Sequence, residues 1–183
     1  MWFGRGVDEL LTRRFGHLLS PEAVAGLAAQ WASPEAGPHG AVALLVLLDQ
    51  FNRNIHRGSP AMFQHDARAA ALARQLLRDN AHLDGTLTAP EVVHVGLCLT
   101  HSEALEDQEA AVELFSLMHR SGAPAPQRHD FEGHAHMARL HMDEIVRFGR
   151  FPHRNKLLSR ETTAEEAAWL ESNVYGYHRQ VVK

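Results

Sequence analysis

The chain has 183 residues, 45% apolar and 22% charged, which suits one domain, 1–183, able to bury a real core. Eighteen Lys and Arg against 22 Asp and Glu give a net charge of -4, so the basic excess of a dedicated nucleic-acid binder is missing. The single cysteine, Cys98, cannot close an internal disulfide, and the longest apolar run, Ala41 to Leu48, is far below the ~20 residues of a bilayer span. A cytoplasmic protein with no nucleic-acid and no membrane partner is expected.

Helical periodicity runs through almost the whole chain. Leu10, Leu11, Phe15, Leu18 and Leu19 recur at helical spacing, and Pro21 opens a helix over Glu22–Trp31. Ser33 to Gly40 reads as a loop. Ala41 to Asn54 begins apolar all round and is expected to be the central helix, packed against Val92–Thr100 and Arg139–Phe148. Arg57-Gly58-Ser59-Pro60 breaks it, and an Ala-, Leu- and Arg-rich helix follows over Asp66–Leu77. Thr88-Ala89-Pro90-Glu91 is a capping box with proline in the first turn. Ser102 reads as the cap of a helix over Glu103–His119, closed by Gly122, and Gly122–Gln127 as a loop. Phe131–Phe148 and a last helix capped at Thr163 complete the pattern. No alternating β-branched run predicts a strand. The fold class is all-α: about eight helices in antiparallel hairpins.

Two helix ends concentrate polar chemistry. One is Asp49-Gln50-Phe51-Asn52-Arg53-Asn54 with Arg57-Gly58; the other is Phe148-Gly149-Arg150-Phe151-Pro152-His153-Arg154-Asn155. Gly149 can take the left-handed conformation that closes a helix, and Pro152 cannot continue one. Guanidinium groups bind carboxylate or phosphate through two parallel bonds, and histidine exchanges protons near neutrality. Arg53, Arg57, Arg150 and Arg154 are therefore candidate anion ligands, with Asp49, Asn54, His101 and Asn155 beside them. His153, His141 and Glu103 are the candidate acid–base groups.

Fourteen histidines raise the question of metal. His94, Cys98 and His101 share a helix face, but their outer pair lies about 10.5 Å apart along the axis, too far for one ion bonded at roughly 2.0–2.3 Å. His134 and His136 point to different faces. No metal and no cofactor is expected. His101-Ser102-Glu103 offers a serine nucleophile beside its base as a minor alternative, because adjacent side chains rarely orient that way and a helix cap accounts for Ser102.

The segments LLVLLDQFNRNIHRG, HSEALEDQEAAVELF and HMDEIVRFGRFPHRNKLL resemble a bacterial family of unknown function, domain of unknown function 924. The resemblance implies a tetratricopeptide-like helical fold but no activity. The family usually has proline where this chain has Asn52, and its absence allows the helix to run further.

Arg139 to Arg160 carries six basic residues against Asp143 and Glu144, while His101 to Met118 carries five acids and no Lys or Arg. One expectation is that these stretches pair internally and the motifs only hold the fold. Another is a site for a small anionic metabolite, with or without catalysis, built from the two Arg-Asn junctions. A third is a helical scaffold that binds a peptide or protein partner. The sequence leaves the oligomeric state open.

Overall fold

Three of the described helices start where a side chain satisfies orphan amides. In the computed structural model, which describes residues 5–121 and 125–172, Ser20 accepts from the Ala23 amide at 3.2 Å and Pro21 follows in the first turn. Thr88 and Glu91 cap each other reciprocally at the start of α6. Thr163 and Glu166 do the same for α9. Such caps contribute about 1 kcal/mol apiece.

The described helices are α1 (Arg5–Phe15), α2 (Pro21–Trp31), α3 (Gly37–Val46), α4 (Asn52–Ile55), α5 (Asp66–Arg78), α6 (Ala89–Thr100), α7 (Leu105–Arg120), α8 (Ala125–Phe148) and α9 (Ala164–Ser172). Short 3-10 turns occupy Gly16–Leu19, Pro60–Phe63 and Pro152–Arg154. A π-helical turn, Leu47–Phe51, joins α3 to α4 without a break. Among the described residues there is no strand, so the protein is all-α.

The chain divides into two compact units, Met1–Arg57 with Ala61–Ser102, and Gly58–Pro60 with Glu103–Lys183. In the first, α3 packs against α2, α5 and α6. Leu44, Leu45 and Leu48 are buried in that core, as are Val92, Val95 and Leu99 from α6. Gly40 lets α3 lie close to the end of α2. A Cβ there would fall 2.4 Å from the Trp31 carbonyl oxygen, well inside contact distance. In the second unit α7 and α8 form a helical hairpin around Phe115, Phe131, Ala135 and Ala138. Gly149, at φ +67°, closes α8 in the left-handed region that its missing Cβ makes accessible.

Several boundaries differ from the sequence reading. Gly37 to Gly40 belong to α3, because Gly37, at φ +63°, turns the chain into a first turn that holds Pro38. α7 starts at Leu105 and its N-cap is Ala104, with no side-chain cap bond, so Ser102 is not the cap. Residues 125–127 are already helical: Pro126 sits in the opening turn of α8, where its missing amide costs nothing. Asn52 continues the helix, as its replacement of the family's proline suggests. The closing Gly122 lies outside the described residues. Among the described residues, no helix is long and apolar enough to cross a membrane.

Candidate functional site

The first Arg-Asn junction is built on the π turn. Asp49 lies within it on the buried side of the helix, four residues after Leu45, and is 1% exposed. Burial alone would push its proton affinity up. His101 and Arg53 overturn that effect, and the carboxyl is held well below the ordinary range. One oxygen accepts from Arg53 Nε at 3.0 Å and lies 2.6 Å from His101 Nδ1. The other accepts from Gln50 Nε2 at 2.5 Å.

Arg53 spans two acids. Its second terminal nitrogen donates to Asp66 at 2.8 Å, and its guanidinium lies over the Phe63 ring. Both carboxylates raise its proton affinity against the cost of burial. Asn52 donates to the Ala61 and Met62 carbonyls, both at 3.0 Å, and fixes the chain beyond the junction. Asn54 donates back to the Gln50 carbonyl and accepts from Arg57, which also grips Asp8 through two nitrogens. The junction thus brings Asp49, Arg53 and His101 into one network, and places Asn54 and Arg57 in a neighbouring one ending on Asp8.

His101 stands at the C-cap of α6 with its side chain one-fifth exposed. Because the Asp49 carboxylate is an acceptor, the ring carries a proton on Nδ1. The remainder of the predicted face does other things. His94 bonds the Pro90 carbonyl at 2.8 Å, and Cys98 is buried, its thiol pushed well up by burial and by Asp49. Among the described residues no group of three His, Cys, Asp or Glu side chains is disposed to hold a metal ion.

The second junction closes on two carboxylates. Glu103 accepts from the Phe151 amide at 2.8 Å and, through both oxygens, from Arg160 at 2.8 and 3.0 Å. Burial opposes its ionisation, but Arg160, the Phe151 amide and Arg154 hold its carboxyl low. Glu166 accepts from Arg150 at 2.6 and 2.9 Å and from Asn155 at 3.2 Å. The Arg150 bonds, with the Thr163 amide, bring the Glu166 carboxyl down to about 2. Arg160 also donates to Asn155 and to the Phe151 carbonyl, tying both ends of the turn.

Behind this knot lies a third acid. Glu144 of α8 is fully buried, with one oxygen 3.7 Å from His153 Nδ1. Burial pushes its carboxyl up to about 8, against the opposing charge of Arg154. Arg154 is itself buried, with its guanidinium over the Phe151 ring. His141 meets the same ring edge-on and bonds the Met137 carbonyl.

Sequence reasoning missed Asp8, Asp66, Glu144 and Glu166 as members of these networks, whereas Arg160 and Glu103 belong to the two stretches expected to pair. Glu144 carried no periodic signal: six residues past Ala138, it stands roughly 120° around α8 from the line of Phe131, Ala135, Ala138 and Ile145, yet it is buried.

The geometry defines an all-α protein with two carboxylate-centred networks, one in each unit. The model of a bacterial protein family of unknown function, DUF924, matches residues 1–173. The chain belongs to that family. It is similar to a solved structure of a protein of unknown function, ATU0120 from Agrobacterium tumefaciens. Identity is 30%, over 93% of this chain and 88% of that one, with a TM-score of 0.73. A comparison with curated proteins finds no match.

Proposed function

We propose that the protein binds a small anionic metabolite at the first junction and exchanges a proton with it through His101. The observation that carries this reading is the 2.6 Å contact between His101 Nδ1 and the buried Asp49. A carboxylate behind an imidazole fixes its tautomer and stabilises the imidazolium that forms on proton uptake, the arrangement acid–base sites use. Two further features support it. Buried ion pairs add little net stability against apolar residues of similar volume, so a network of this kind fits a role beyond stability. π turns, moreover, occur often at functional sites. Arg53 spends two of its five N–H donors on Asp49 and Asp66, and the others suit a carboxylate or phosphate oxygen.

In this reading the second junction holds the fold. Arg150, Arg160 and Asn155 serve Glu166 and Glu103, and Phe151 is pinned through its amide. Proton exchange is accordingly assigned to His101 in place of His153, His141 and Glu103.

A thermal-shift screen of small phosphates and carboxylates tests the proposal. At least one should raise the melting temperature of the native chain. Against His101→Gln its affinity should fall about tenfold or more, the equivalent of one charge-assisted hydrogen bond. Equal binding by both proteins, or no binding by any anion, would leave both junctions as purely structural devices.

A further inference from the structure

A second feature of the first unit is a cleft of about 370 Å³ between the start of α3 and the turn that follows α5. Its floor is apolar: Pro34, Ala41, Leu72, Leu76 and Ala81 line it. Its rim is polar and of one sign. Asp79 and Asp84 stand there with Ser33, Gln75 and Thr86, and no Lys, Arg or His is among the described lining residues. We propose that this cleft binds a small organic monocation, an amine carried on a short apolar body.

Three physical features favour that class. The volume is in the range of small-molecule sites, about 300–1,000 Å³. Asp79 is the C-cap of the 13-residue α5, so its charge adds to the negative end of the helix dipole, where cations are stabilised. The turn that carries the acids is locally organised. Asn80 at φ 56° and Gly85 at φ 80° shape it, and Ala81 donates to the Leu76 carbonyl across the helix end. Asp84 accepts from the Thr86 amide at 2.8 Å, and the Thr86 bonds lower its carboxyl further, keeping it charged. The start of α3 opposes these effects with its positive end, but Pro38 in that first turn has no amide to offer an anion. Apolar lining beside two carboxylates therefore selects charge and body together, and selects against anions.

Two-dimensional amide NMR with 2-phenylethylamine as the probe tests the site, with 2-phenylethanol and phenylacetate as its neutral and anionic counterparts. The amine should saturate in the millimolar range and shift amides of residues 33–41 and 72–86. The alcohol should bind about tenfold more weakly, one charge interaction's worth, and the acid not at all. Asp79→Asn removes an exposed charge from the end of α5 and should weaken amine binding severalfold with the spectrum otherwise intact. Equal binding by amine and alcohol, no shifts in these residues, or an unaffected Asp79→Asn variant would each overturn the proposal. Failure here leaves the anion reading at His101 untouched, because the two probes carry opposite charge.

Discussion

Asp49→Asn is expected to destabilise the first unit by about 3–5 kcal/mol, the effect of breaking a buried ion pair from one side. The carboxylate accepts from Arg53, Gln50 and His101 at once. An amide can accept with only one of its two atoms and presents N–H groups to the others. Arg53 would keep Asp66 but lose half of its neutralisation in a site with little water. Asp49 titrates below its ordinary range in the folded chain. Its stabilising contribution is therefore present above the unfolded value of 3.8 and is lost only as pH falls through the depressed folded one. Urea unfolding near pH 7 checks the loss, and repeating it in strong acid should show the difference between native and variant shrinking. A loss under about 1 kcal/mol at pH 7 would place Asp49 among ordinary surface positions.

Glu144→Gln should act in the opposite direction. The native carboxyl is raised from 4.5 to about 8 by burial, so between those values the folded chain holds a proton that the unfolded chain has released. Stability from this group is complete below 4.5 and drains away as pH rises toward 8. A neutral glutamine of similar shape removes that dependence. Near pH 5 the variant should unfold close to the native chain. Near pH 8 it should be more stable by a few kcal/mol, because holding one proton against a tenfold fall in proton concentration costs at most about 1.4 kcal/mol. Chemical denaturation across pH 5 to 9 reads the effect directly. Parallel stability profiles for the two proteins would show that Glu144 is ionised in the folded state throughout, paired with Arg154 or with a protonated His153.

The helices were legible because their signals are local. The Thr88 and Thr163 capping boxes, the Ser20-Pro21 start and the all-apolar Ala41 to Leu48 run each specify structure within a few residues. Ser102 misled because a serine followed by glutamate imitates a cap; Glu103 is instead drawn to Arg160 and to the Phe151 amide, 57 and 48 residues away. The candidate sites were legible as concentrations of arginine, histidine and asparagine. Their wiring was not. The partners that decide what Arg53, Arg57 and Arg150 do, Asp66, Asp8 and Glu166, sit 13 to 49 residues from them along the chain, and spacing within a motif carries no record of such pairings; only Arg160 with Glu103 follows the charge asymmetry of the two stretches. The π turn escaped for a related reason. It leaves the residue types of a helix unchanged and alters only the spacing of the backbone hydrogen bonds.

The central claim is that Asp49 fixes the His101 imidazole as a proton-exchanging group with its proton on Nδ1. Long-range nitrogen–proton NMR correlation of the histidine rings tests this most directly. The neutral His101 ring should show the Nδ1-protonated tautomer, and Asp49→Asn should shift the tautomer ratio. A neutral His101 ring protonated on Nε2, or a tautomer ratio indifferent to Asp49→Asn, would contradict the account.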